Sequence, residues 1–113
     1  MSKYEEMSDF EINTAVVKAL RLPFKAEFCN VFLDHGFDEG AFVYTRVDYC
    51  NNPSDAWPII VDNKIGVSPH GEKWMANNFN PSSVGSYQVQ TMSYDKNPLR
   101  AAMIVFLMMR EAK

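Results

Sequence analysis

The sequence predicts an α+β domain, a small antiparallel sheet of three to four strands with helices packed on it, in the order α-β-β-α-β-α. Two observations carry this reading. The segments beginning at Asn52-Pro53 and Asn97-Pro98 each reach Ala three residues after the Pro and run on into apolar residues. Asn offers a side-chain oxygen to an unpaired N–H of a first helical turn, and Pro is tolerated at the first helical position. Both segments therefore read as capped helices. The second observation is period-two alternation of apolar and polar residues near 26–33, 42–49 and 87–92, the spacing of strands.

Taken in order, Ser8 and Glu11 form a capping box, with Met7 and Ile12 placed to staple it. Phe10, Val16, Val17 and Leu20 follow at helical spacing and Pro23 stops the run, which predicts a first helix over Asp9–Arg21. Ala26 to Leu33 alternates as one strand. Asp34 to Gly40, with two glycines, reads as a hairpin connection to an antiparallel strand over Phe42–Tyr49. The Asn52-Pro53 helix is predicted to run to about Ile65, with Gly66 closing it in the left-handed conformation. Pro58 implies either a later start, near Ser54 or Asp55, or a kink. Val67 to Asn80 shows little pattern beyond a short strand at Lys73–Ala76. Tyr87 to Met92 alternates again. The last helix, Pro98 to about Ala112, is apolar on nearly all sides between Ala101 and Met109, so it is expected to be buried on more than one face.

A chain of 113 residues, 47% of them apolar, fits one domain over 1–113 with its own core. The net charge of −3 disfavours binding to duplex nucleic acid, which needs a basic face; Lys18, Arg21, Lys25 and Arg46 are the only local supply. A small anionic ligand needs only two or three local donors and is not excluded by this charge. Cys29 and Cys50 are isolated and read as free, buried thiols of a reducing cytosol. The acidic N-terminus lacks signal-peptide features, and the longest apolar run, Ala101–Met109, is too short to span a bilayer.

No metal-ligand spacing, phosphate loop or nucleophile elbow occurs, so neither a catalytic residue, a metal nor a cofactor is expected. His35 and His70 are the only histidines, and Asp34-His35 reads as solvated turn rather than an acid–base pair. Asparagine, however, recurs beside aromatics: Asn51 and Asn52 before Trp57, Asn77 and Asn78 between Trp74 and Phe79, Asn97 after Tyr94. Aromatic faces stack on flat ligands such as nucleobases, and amides pair with base edges. Arg100, near a helix N-terminus, is placed to take an anionic group. The candidate ligand-binding set is Tyr49, Asn52, Trp57, Trp74, Asn78 and Arg100. Capping and core packing are the competing use of the same residues.

Three blocks, Glu6–Asn13, Cys50–Val61 and Asn97–Met109, resemble the NinX-like family of small proteins from tailed phages of enteric bacteria and their prophages. The resemblance implies a phage accessory protein of the host cytoplasm and carries no reaction or catalytic residue with it. The expected function is non-catalytic binding and neutralisation of a host factor in counter-defence, with sequestration of a small nucleotide-like ligand placed slightly ahead of inhibiting a host protein. A replication or recombination accessory factor is the alternative, and a hydrolase centred on His35 or His70 ranks last. The terminal helix carries more apolar surface than one thin sheet can cover, so a homo-oligomer, with a dimer favoured and this helix in the interface, is also expected.

Overall fold

The computed structural model describes residues 3–81 and 88–111. A short 3₁₀ turn at Lys3–Glu6 precedes α1 (Asp9–Ala19), β1 (Phe24–Glu27), β2 (Asn30–Asp38), β3 (Ala41–Val47), α2 (Pro53–Asp62), β4 (Gly66–His70), β5 (Lys73–Pro81), β6 (Gln88–Asp95) and α3 (Pro98–Glu111). The α+β class and the helix order stand. The strands are more numerous than expected, forming two antiparallel sheets of three, β1-β2-β3 and β4-β5-β6.

The helix starts follow the sequence signals closely. Ser8 Oγ accepts from the Glu11 N–H at 3.1 Å while Glu11 Oε1 accepts from the Ser8 N–H at 3.0 Å, completing the capping box. Asn52 caps α2 through the Ser54 N–H at 3.0 Å, with Pro53 as first helical residue, so the helix does not start late. Pro58 lies inside α2, where its ring nitrogen offers no donor to the turn before it. Asn97 Oδ1 likewise accepts from the Leu99 N–H at 2.9 Å.

The helix ends depart from expectation. α1 closes through Leu22 N–H to Val17 O, with Arg21 at φ 58°. α2 closes the same way through Ile65 N–H to Ile60 O, with Lys64 at φ 54°. Both are Schellman-type ends whose left-handed position holds a long basic residue rather than Gly. Gly66 is not the cap of α2. It opens β4 opposite Asn77, and a Cβ there would lie 2.8 Å from Asn77 Oδ1.

The predicted strand over 26–33 is two strands. Phe28 and Cys29, at φ 52° and 60°, form a two-residue turn between β1 and β2, held by Asn30 Nδ2 donating to Phe28 O at 2.9 Å. Two non-glycine residues at positive φ give no sequence signal for such a turn. The predicted Asp34–Gly40 connection is mostly strand. Gly36, at φ 87°, makes a bulge within β2, and the reversal is the Glu39-Gly40 pair. In the second sheet, β4 pairs with β5 and β5 extends well beyond Lys73–Ala76. Tyr87, the predicted start of the last strand, lies outside the described residues.

The core is built around α3. Arg100 to Leu107 are buried without interruption, with Phe106, Met103 and Ile104 the largest wholly covered side chains on the helix. The helix packs against the second sheet on one side and against α1 and α2 on the other. The apolar excess expected to meet another subunit is thus covered within the chain over Ala101–Leu107. The first sheet, by contrast, is lightly covered, with Val31 and Val47 its buried residues. Cys50 is buried as expected, whereas Cys29, in the Phe28-Cys29 turn, is exposed.

Candidate functional site

The two Asn-Pro segments and the start of α1 meet in one polar knot. Asn97 Nδ2 donates to Cys50 O at 2.6 Å and to Asn51 Oδ1 at 3.0 Å. Asn51 Nδ2 reaches Asp9 Oδ2 at 3.1 Å, and Asn13 bridges Asp48 Oδ1 and the Cys50 N–H. Arg100 completes the knot. Its Nη1 contacts Asp9 Oδ1 at 2.7 Å, its Nε contacts Asp95 Oδ2 at 3.1 Å, and its Nη2 donates to the carbonyls of Tyr4, Glu5 and Met7. The three sequence blocks Glu6–Asn13, Cys50–Val61 and Asn97–Met109 are therefore joined by side-chain contacts of the folded chain. Burial, with Asp9 adding to it, pushes the Cys50 thiol up to about 12, so it stays protonated and inert at neutral pH.

This geometry redistributes the candidate ligand residues. Arg100 is buried and its donors are occupied, so it is a structural clasp and not the anion site that its place near a helix N-terminus suggested. Asn52 is the α2 cap, and Asn78 Nδ2 donates to Asn63 O at 3.0 Å, tying β5 to the end of α2. Trp57 is 62% exposed on the outer face of α2 and lines neither cleft described below. Trp74 sits on β5 opposite Pro69 and Asp95, while Tyr94 on β6 pairs with Met75. Successive side chains of a strand point to opposite faces, so Trp74 and Tyr94 lie on opposite sides of the sheet. Tyr49 alone among the six lines either of the two clefts described below.

Two clefts stand out. The first, about 640 Å³, lies at the end of the second sheet and is lined by Glu5, His70, Lys73, Tyr94, Asp95 and Lys96. His70 and Lys73 are cross-strand partners at the β4–β5 turn. The His70 and Tyr94 rings sit 5.0 Å apart at a tilt of 51°. Asp95 is engaged by Arg100, and among the described residues neither Lys73 nor Lys96 has an ion-pair partner. The cleft thus offers two ring faces, two ammonium groups unpaired among the described residues, and two carboxylates, Glu5 and the Arg100-bound Asp95, of which Glu5 stands unoffset against an anion. The second cleft, about 420 Å³, surrounds Tyr49.

His70, Lys73, Tyr94 and Lys96 were not among the predicted site residues. The signal for them was the Pro69-His70-Gly71-Glu72-Lys73 turn, which brings a histidine and a lysine onto one face only once β4 is recognised as a strand. His35 sits on β2 with Nε2 2.8 Å from Thr45 Oγ1, in the bulged stretch and exposed. Among the described residues no group of three or more His, Cys, Asp or Glu gathers as a metal site. Nor is any described helix long and apolar enough to cross a membrane.

The family described as "Bacteriophage P22, NinX" matches the chain over residues 3–110. No curated protein matches it.

Proposed function

The chain belongs to the Bacteriophage P22 NinX family, and from that premise we propose a phage accessory protein that sequesters a small anionic, nucleotide-like molecule of the host without catalysing a reaction on it. One observation carries this reading: Lys73 and Lys96, unpaired among the described residues, share a cleft with the His70–Tyr94 ring pair. Rings supply stacking that tolerates any base, and two ammonium groups supply charge for a phosphate. Sequestration in the host cytoplasm removes the molecule from a defence process. The acidic net charge supports a small ligand over duplex nucleic acid, whose binding grows with the number of phosphates neutralised.

A panel of cyclic and linear nucleotides, read by thermal shift and calorimetry, tests this. A ligand far above its dissociation constant raises the melting temperature. Tyr94→Ala is expected to weaken that ligand by about 1–3 kcal/mol, and Lys73→Ala or Lys96→Ala by about ten-fold each. A silent panel, or binding untouched by all three variants, overturns the reading. A salt-sensitive, sub-micromolar complex with random duplex supports a replication or recombination role instead.

A second reading, contact with a protein, is favoured by the first sheet. Phe28 is 89% exposed, and Phe37 and Phe42, stacked edge to face at 5.3 Å, are about two-thirds exposed. With α3 covered, this sheet is where we place a homodimer, through the open edge of β3. Light scattering with Phe42→Asp tests it, and a monomer at all micromolar concentrations refutes the dimer and leaves the same surface to a host protein.

A further inference from the structure

We propose that the cleft around Tyr49 is a second ligand site, separate from the Lys73–Lys96 cleft, and that it takes a small molecule with a flat apolar body and a cationic head. Its apolar side is formed by Leu20 and Leu22 after α1, Leu33 and Val47 of the first sheet, and Ile59 of α2. Its volume, about 420 Å³, falls within the range of small-molecule sites.

The polar groups select the ligand. Tyr49 is only 4% exposed, yet its hydroxyl has no hydrogen-bond partner among the described residues. The hydroxyl is not one of the fully shielded polar atoms, so it keeps an accessible face on the cleft with which it can bond to a ligand. Burial first, and the Asp55 carboxylate second, push its ionisation up to about 12, so it remains a neutral hydroxyl. Asp55 already accepts the Asp48 N–H through Oδ2 at 2.9 Å. Asp62 lies two turns further along the same face of α2, about 10 Å away at 1.5 Å per residue, with no partner among the described residues.

Against these two carboxylates stands Arg110 on α3. Its guanidinium lies over the Phe106 ring at 5.1 Å and makes no ion pair among the described residues. The C-terminal ends of all three described α-helices contribute to the rim, through Leu20 and Leu22, through Asp62 and Asn63, and through Arg110. Helix C-termini carry partial negative charge, whereas the first turn of α2, with Ser54 and Asp55, carries the opposite sign, so the two carboxylates against one guanidinium decide the balance. The balance is therefore negative, and an anionic ligand such as a nucleotide is disfavoured here. This separates the site chemically from the one under the lysines.

Three probes share an indole body and differ in the head: tryptamine, the neutral alcohol tryptophol, and indole-3-acetate. Backbone amide shifts of the intact protein are followed in each titration. Tryptamine is expected to move the amides of 55–63 saturably, with indole-3-acetate at least five-fold weaker and tryptophol between. Tyr49→Phe keeps the ring and removes the hydroxyl; Asp62→Asn removes one exposed charge. Each should weaken tryptamine about three-fold or more with the melting temperature retained. No saturable shift in that segment, equal affinity for acetate and amine, or indifference to both variants overturns the proposal. Nucleotide binding under the lysines is scored separately, so either site can fail alone.

Discussion

Replacing Arg100 by Met should cost the fold about 3–5 kcal/mol, the loss found when one partner of a buried ion pair is removed. The figure can be assembled from the contacts. The Asp95 bond at 3.1 Å joins two charged groups with side chains 11% and 22% exposed, and such bonds contribute about 1.5–3 kcal/mol. The Asp9 bond is shorter, at 2.7 Å, but the Asp9 side chain is 46% exposed. Solvent screens it, and about 1 kcal/mol is its share. The carbonyls of Tyr4, Glu5 and Met7 lose their donor as well, and where water cannot replace it this adds about 1 kcal/mol more. Met retains much of the volume, so a cavity contributes little. Urea unfolding followed by circular dichroism should show the midpoint falling with an unchanged slope, and the melting temperature dropping by roughly 12–20 °C. Arg100→Lys, with three donors instead of five, should lie between the two. A loss below about 1 kcal/mol for the Met variant would refute the clasp.

Four further outcomes follow from the geometry. With a thiol reagent at pH 8 the native protein should titrate one cysteine, the exposed Cys29, and Cys50 only after denaturation. Cys50, Tyr49 and Tyr4 all have ionisations raised to about 12 in the folded chain, so the native state holds protons that the unfolded chain releases. Their stabilisation is complete below about pH 9 and is lost as pH rises towards 12, on the order of 1 kcal/mol per pH unit for each buried group; stability rising with pH across that window would contradict this. Ser93 Oγ is buried with no hydrogen-bond partner among the described residues, so Ser93→Ala should raise stability by about 1 kcal/mol in a denaturant titration. Lys64→Gly relieves the left-handed strain at the end of α2 and should add about 0.5–1 kcal/mol, measured in the same way.

Much of the fold was legible because its start signals are local. Ser8-x-x-Glu11, Asn52-Pro53 and Asn97-Pro98 each declare a helix by side-chain chemistry within a few residues, and all three helices begin there. What stayed hidden depends on residues used against type. Phe28, Cys29, Arg21 and Lys64 hold positive φ where Gly or Asn would have announced the turn or cap. Gly36, which did announce a turn, serves a bulge. The site was less legible for a different reason. An Asn, Arg or aromatic residue looks the same in a sequence whether it faces a ligand or the protein's own carbonyls. Arg100 became a clasp because Tyr4, Glu5, Met7 and Asp9 come back to it from over ninety residues away, which no local pattern encodes. Tyr49, the one candidate that lines either of the two clefts described above, faces carboxylates and apolar walls instead of an anion site.

The Asp9–Arg100 contact spans 91 residues, and that separation has a kinetic meaning. Closing so long a loop early costs roughly 4 kcal/mol in chain entropy, on the (3/2)RT ln n scaling. The hairpins β2–β3 and β5–β6 close far shorter loops and can form first. The clasp is then a late event, absent from the folding transition state, and weakening it leaves the refolding rate nearly unchanged. The whole loss falls on the unfolding limb of the chevron. For 3–5 kcal/mol that shortens the native lifetime by about a hundred- to several-thousand-fold. A single guanidinium thereby works as the latch that sets how long one molecule stays folded, and stopped-flow kinetics on the Met variant would time its release.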